Sequence, residues 1–431
     1  MSTEASLGPL QRLLNRVAKV EPQESRAAIA AFLLLFCVLG GYFAIRPVRE
    51  TIGTVIGRDA TRDLWLWTAI FALAIVPFYG WLVSRIRRSI LLPGIYGGTA
   101  LVIFGYAVAF QSAEQMRIFG SSFYVFISVL NLLLVSIFWS FLLEMFSSEQ
   151  TKRLFGFIAA GGTLGAFLGP IVTRLVVQTV GTSGVLMLGA AGFVLAILFQ
   201  RRLMTVAAGW TSSAGAKMDD RALGGNPFAG FSLVARSPYL LLIALFVILL
   251  SAVNTFLYFE QLKQVAELYD DIEKRTEVFA SFDFIVQGLT ALTQLMLTGW
   301  IARNFGVRAL LTIVPLVLVA GFLSMGALGS FWSLAVAMVI RRWGEYAFVR
   351  PGREMLMSRL DRESKYKAKN LIDVPVYRTA DFLFAQANKA LEKVGLNSAG
   401  AAFVGAGLAA AWFLTGWILG SKFDREAAKK D

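Results

Sequence analysis

Apolar runs of membrane-spanning length follow one another along almost the whole chain, separated by short polar breaks. Charge-free windows cover Ala27–Ile45, Leu64–Ser84, Ser89–Ala113, Ile118–Leu143 and Leu154–Thr173. Leu175–Gln200 comes next, with a polar start from Gln178 to Ser183. After a stretch rich in Gly, Ser and charge, the pattern resumes with Ser237–Phe259, Phe284–Ala302 and Ala309 to Leu328. A charged helix is predicted from Phe331 to Leu356, another around Leu371–Leu391, and a last one near Ser398–Gly420. A hydrocarbon core takes about 20 residues of helix. The pattern therefore predicts an all-α membrane protein of twelve transmembrane helices. Its expected parts are an N-terminal segment (1–26), a six-helix half (27–203), a linker (204–236), a second six-helix half (237–421) and a tail (422–431).

Composition narrows the class. Apolar residues make up 57% and charged residues 16% of the chain, too little polar surface to cover a soluble domain. The net charge of +13 would suggest nucleic acid in a soluble protein. Here the basic residues fall in short loops such as Arg85–Arg88, Lys152–Arg153 and Lys365–Lys369, which fits the positive-inside rule instead. That rule places both termini in the cytoplasm and gives nucleic acid no role. Cys37 is the single cysteine and histidine is absent, so neither a disulfide nor a histidine metal site is expected, and no cofactor is implied. The polar, partly acidic first 26 residues do not read as a cleaved signal peptide.

Against this apolar background, Arg341 to Asp381 stands out. Arg341 and Arg342 close an uncharged run that begins at Ala309, so with Glu345 they are expected at bilayer depth. Charges there pair, face a cavity or mark a solute path. The plain alternative is a buried ion pair that only holds helices together, since Arg341 and Glu345 are spaced i, i+4. A short repeat sharpens the choice. Arg46-Pro47-Val48-Arg49-Glu50 is expected to end the first helix, and Arg350-Pro351-Gly352-Arg353-Glu354 to lie in the tenth. In each copy the first arginine is predicted to pair with the glutamate at i, i+4. That leaves Arg49 and Arg353 to grip an anion, because guanidinium forks match carboxylate and phosphate oxygens. Each proline should also free a backbone carbonyl. Arg378 and Asp381, one turn apart, are expected to pair, with Lys367 and Arg378 as secondary substrate contacts and Asp373 nearby. Glu144 and Glu260 are the carboxyl groups proposed to carry a coupling proton. Gly161, Gly165 and Gly169 recur every four residues, which suits close helix packing rather than a phosphate cradle. No GxxxxGK[ST] run exists, so P-loop ATP hydrolysis is not supported.

Internal repetition points to two homologous halves. GWLVSRIRRSILL from Gly80 matches GWIARNFGVRALL from Gly299, and nearly the same offset places FSSEQTKRLFGFI over SRLDRESKYKAKN. The layout resembles the major facilitator architecture, in which the first, fourth, seventh and tenth helices line a central cavity. The two RPxRE copies are then expected to face one solute path. Tyr346 through Asp373 resembles a segment of the ATP/ADP translocase family of obligate intracellular bacteria and plastids. The matching features are Pro351-Gly352-Arg353-Glu354-Met355, Leu360, the lysines 365, 367 and 369, Ile372-Asp373 and Arg378. Arg353 stands where that family has a lysine, and the end of the first span resembles its Leu-Arg-x-x-Lys-Asp run through Arg46, Arg49 and Glu50. The resemblance implies a multi-pass carrier of the bacterial inner membrane, monomeric, exchanging nucleotides by alternating access and not an enzyme. Arg342, Arg353 and Arg49 would meet anionic oxygens, with Glu345, Glu354 and Glu50 tuning them. Two other readings stay open: a proton-coupled carrier of another anionic metabolite or chelator, and a non-transporting membrane receptor or scaffold.

Overall fold

The computed structural model describes residues 21, 24–86, 88–207, 229–360, 368–369 and 371–427. Among these, all regular structure is helical. In chain order the helices are α1 (Ser25–Ile56), α2 (Arg58–Arg85), α3 (Arg88–Ala109), α4 (Ala113–Met145) and α5 (Ser148–Ala207). They continue with α6 (Ala229–Arg236), α7 (Pro238–Leu268), α8 (Ile272–Met296), α9 (Thr298–Leu328) and α10 (Phe331–Gly344). The last are α11 (Arg350–Met357), α12 (Tyr377–Lys393) and α13 (Ser398–Ala427). Eight of these helical runs are long and apolar enough to cross a membrane. Their outward side chains agree: Leu101, Leu175, Leu295 and Leu328 are all exposed, a surface suited to lipid and not to water.

Several boundaries differ from the pattern in the sequence, for local reasons. The fifth and sixth windows form one 60-residue run, two helices that meet at Gly181, inside the predicted polar start of the sixth. Gly181 has φ +68°, a conformation that costs glycine little and other residues more. Gly306 (φ +76°) breaks α9 in the same way. The eighth helix begins at Ile272 rather than near Phe284, because the charged residues of its first turns pair among themselves; Lys274 lies 3.0 Å from Glu277. α1 does not stop at the RPVRE run but carries it inside the helix to Ile56. Most of the proposed linker lies outside the described residues, and its last part is the short helix α6.

The chain divides into two compact units. The first holds Met1–Ile52, Ala74–Asp220 and Asp271–Phe284; the second holds Gly53–Leu73, Arg221–Asp270 and Ile285–Asp431. Each therefore takes in the opening part of one helix, α8 in the first unit and α2 in the second, whose remainder belongs to the other.

In the first unit α3 packs along α5, and Phe123, Phe138, Phe193 and Tyr96 are fully buried. α1 and α5 approach through glycine. A Cβ on Gly161 would lie 2.4 Å from the Phe32 carbonyl oxygen, one on Gly165 2.4 Å from that of Phe36, and one on Gly169 2.6 Å from that of Gly40. The four-residue glycine spacing thus lets two backbones touch, as small residues do where no hydrophobic force drives helices together. In the second unit α9 runs along α13, and α7 packs on α12 and α13. Trp412 of α13 is fully buried against Phe246 of α7, ring centroids 5.7 Å apart.

Gly165→Ala should lower the thermal unfolding midpoint of the detergent-solubilised protein, with an overpacking cost of about 1–3 kcal/mol. Gly105→Ala, inside α3 with a new Cβ that meets nothing within 4 Å, should not lower the midpoint and should raise it slightly, since alanine is favoured over glycine in a helix interior by about 0.5–1 kcal/mol.

Candidate functional site

The charged segment of the second unit is built on an irregular helix. α10 passes into a π-helical turn, Glu345–Val349, which continues into α11. In such a turn the backbone bonds run i→i+5, and the Arg350 N–H indeed donates to the Glu345 carbonyl. This register decides the pairing. Arg350 is carried one turn beyond Glu345 and reaches its Oε1 through Nε and Nη2, both at 3.3 Å. Arg341 reaches Oε2 of the same carboxylate at 3.1 Å, so the predicted i, i+4 pair is present. Glu345 is therefore held between two guanidiniums. Arg341, Arg342 and Glu345 are 7%, 6% and 6% exposed, as expected for charges within a span.

Two carbonyls loosened by the π turn and by Pro351 find side-chain donors. Thr298 Oγ1 donates to the Ala347 carbonyl at 2.8 Å, and Gln294 Nε2 to that of Tyr346 at 3.0 Å. The carbonyl that Pro351 would leave bare is thus taken up by α9. Trp343 donates its indole N–H to Thr293 Oγ1 at 2.9 Å.

The predicted i, i+4 pairing fails in the second RPxRE copy and is kept in the first beside closer contacts. In the second, Arg350 does not pair with Glu354, because the π turn directs it to Glu345. Glu354 pairs with Lys369 instead. Arg353 lies 3.0 Å from Asp373, which belongs to a second π-helical turn, Ile372–Val376. The two are at ion-pair distance without hydrogen-bond alignment, and Asp373 Oδ1 has no hydrogen-bond partner. In the first unit Arg46 keeps its i, i+4 approach to Glu50 at 3.7 Å but makes a closer pair with Asp283 of α8 at 2.7 Å. Arg49 is not the less compensated member: it pairs with Glu50, donates to Ser128 Oγ at 3.2 Å and lies over the Tyr124 ring at 5.3 Å. Since Arg46 turns to Asp283, Glu50 is left to its neighbour.

Arg378 pairs with Asp381 at 3.3 Å, as the one-turn spacing predicts. Asp381, 5% exposed, also accepts from Ser251 Oγ of α7 at 2.6 Å. Glu260 is half-buried and accepts from Gln264 Nε2 at 2.8 Å. Lys367 and the side chain of Glu144 lie outside the described residues.

Among the described residues, three buried charges escaped the reading of the sequence, the first being Glu24, 3% exposed and 2.9 Å from Arg153. Asp283, 1% exposed, sits just before the window taken to start at Phe284; an acid inside Phe-Ala-Ser-Phe-Asp-Phe-Ile-Val was the available signal. Arg62 is fully buried in the second unit, 2.8 Å from Asp59 and 2.6 Å from Glu392, with a further bond to Asn388 and its guanidinium over Phe259 at 5.1 Å. Nothing in Arg58–Asp63 distinguishes it from an ordinary charged loop.

With this geometry in view, comparison with known proteins is informative. No family model matches the sequence. The nucleoside transporter NupG superposes with a TM-score of 0.62 at 15% identity, covering 92% of this chain and 99% of that one. The POT family transporter PepTSo gives 0.63 at 12% identity over 94% and 99%. The chain has the fold of major facilitator-type transporters. In sequence it is 22% identical to ADP,ATP carrier protein 1 of Chlamydia pneumoniae, over 91% of this chain and 89% of the carrier. It is 23% identical to the protein of that name from Chlamydia muridarum, over 87% and 84%. The resemblance read from Tyr346–Asp373 and the end of the first span therefore runs along most of the chain, and this is a multi-pass membrane protein.

Thr298→Val would leave the buried Ala347 carbonyl without its donor. It should cost about 1–3 kcal/mol, measured as a lower unfolding midpoint of the detergent-solubilised protein.

Proposed function

We propose that this chain is a secondary active transporter that exchanges nucleotides of the ATP/ADP type by alternating access. One observation carries the reading: guanidiniums outnumber carboxylates in α10 and α11, with Arg341, Arg342, Arg350 and Arg353 set against Glu345 and Glu354 in a membrane-embedded segment. Such an excess suits an anion, and the relatives that match most of the chain are ADP,ATP carriers. Arg342, Arg353 and Arg49 contact the anionic oxygens, while Arg46, Glu50, Glu345, Arg350 and Glu354 tune them. Asp373 is the counter-ion that Arg353 gives up when the anion arrives, which its unaligned contact makes inexpensive. Lys367 and Arg378 are secondary contacts. The carrier works as a monomer in the bacterial inner membrane with both termini cytoplasmic, and needs no cofactor.

A second reading has its own support. Asp381 is a buried carboxylate held by one serine hydroxyl and one arginine, an arrangement that can take up a proton when the arginine moves away. That favours proton-coupled uptake of another anionic metabolite, with Glu144 and Glu260 as further proton candidates.

Uptake of labelled ATP into proteoliposomes separates the two. Exchange predicts uptake that requires ADP inside the vesicles and falls at least tenfold in Arg353→Ala. Uptake driven by a proton gradient into empty vesicles would select the second reading. Tight nucleotide binding with no flux under either gradient would point to a receptor or scaffold and reject both.

A further inference from the structure

Apart from the charged segment of α10 and α11, the second unit contains a cavity of about 600 Å³, within the size range of small-molecule sites. Its wall is made by the α9 turn around Gly306 and by the end of α13, with Met355 of α11. Three arginines line it: Arg303, Arg308 and Arg425. Among the described residues none of the three has an ion-pair partner within 4 Å. Arg303 uses only its Nε, on the Gly299 carbonyl of its own helix at 3.3 Å. Arg308 lies over the Trp417 ring at 4.5 Å, which orients its guanidinium without neutralising it.

The acid that lines the same cavity is already committed. Asp424 Oδ1 accepts from the Val307 N–H at 2.9 Å and Oδ2 from the Arg308 N–H at 3.1 Å, so it caps the helix that restarts after Gly306. A Cβ at position 306 would lie 2.4 Å from Asp424 Oδ2, so glycine is what lets the carboxylate seat there. With the carboxylate bound to backbone amides, the arginines keep their charge for a ligand. The rest of the wall is partly apolar, with Ala302, Phe305, Met355 and Phe423. Exposed Trp300, Phe305 and Trp417 on the same elements are suited to the lipid–water interface.

We propose that this cavity is a binding site for a phosphate-bearing anion, distinct from the transported solute. The arginines grip the phosphate oxygens, and the apolar wall accommodates a glycerol or acyl portion when the phosphate is carried by a lipid. A net-anionic phosphodiester headgroup and free inorganic phosphate share the chemistry recognised, whereas the phosphate of phosphatidylcholine is already offset by its own choline cation.

Native mass spectrometry of the purified full chain, released from vesicles, tests this. One set of vesicles contains equal phosphatidylglycerol and phosphatidylcholine; a second contains phosphatidylcholine with added inorganic phosphate. Preferential retention of phosphatidylglycerol identifies the lipid source, and retention of phosphate in the second arm identifies the free anion. In either case Arg303→Gln/Arg308→Gln should reduce the bound fraction at least tenfold. Arg425→Gln, which leaves the Trp417 stacking untouched, should give a smaller loss in a chain whose unfolding midpoint is unchanged. Neither ligand retained above the phosphatidylcholine background, or equal retention by all variants, would overturn the proposal.

Discussion

A guanidinium or carboxylate within a bilayer must be held by an opposite charge or a set of hydrogen bonds, and that requirement shapes the centre of this protein. Isolated, such a charge costs several kcal/mol. Glu345 is the keystone of the answer found here: one carboxylate between Arg341 and Arg350, reached from opposite directions along a single helix. In an unbroken α-helix, residues five apart point about 140° away from each other, so Arg350 would not reach Glu345. The π turn shifts the register, and the shift needs Thr298 and Gln294 to take the carbonyls it loosens. Electrostatics, helix irregularity and packing against α9 are thus one arrangement.

The amount of this visible in the sequence followed from what each feature depends on. The all-helical apolar layout and the buried charges of α10 depend on composition along one helix, so hydropathy and charge position revealed them; of the twelve spans expected, eight helical runs among the described residues are long and apolar enough to cross a membrane. The glycine contact of α1 with α5 was visible for the same reason, because a four-residue spacing has one geometric meaning on a helix. The partners of Arg350, Arg46 and Arg353 were not visible. Arg350 depends on a local change of helical register, which no propensity marks, and Arg46 and Arg353 on residues far along the chain, Asp283 and Asp373. Arg62 shows the limit most clearly: its charge looked solvated, yet it is buried against Glu392, some 330 residues away.

The two RPxRE copies show how one short motif is used differently in two settings. Both place an arginine, a proline, an arginine and a glutamate on a helix, and in neither is the glutamate's nearest partner the arginine expected from i, i+4 spacing alone. In α1 the glutamate is taken by Arg49. In α11 it leaves the motif altogether for Lys369, and Arg353 turns to Asp373. In the second copy the pairing arginine faces an oxygen, Asp373 Oδ1, that accepts no hydrogen bond among the described residues, which is why Arg353 is the stronger candidate for exchanging its partner with a solute.

The central claim is that the buried charges of α10 serve an anion and are not merely structural. Arg341→Met/Glu345→Met tests it directly, because replacing both members of a buried pair with apolar side chains is often neutral or stabilising to the fold. Arg350 loses Glu345 but keeps its position over the Tyr346 ring, 4.5 Å from its centroid, and is not enclosed by the protein. Flux of labelled ATP into ADP-loaded vesicles, measured beside the unfolding midpoint, is the readout. The account predicts an unchanged midpoint with flux reduced at least tenfold. A double variant that folds and exchanges at the rate of the native protein would show that the pair only holds the helix together.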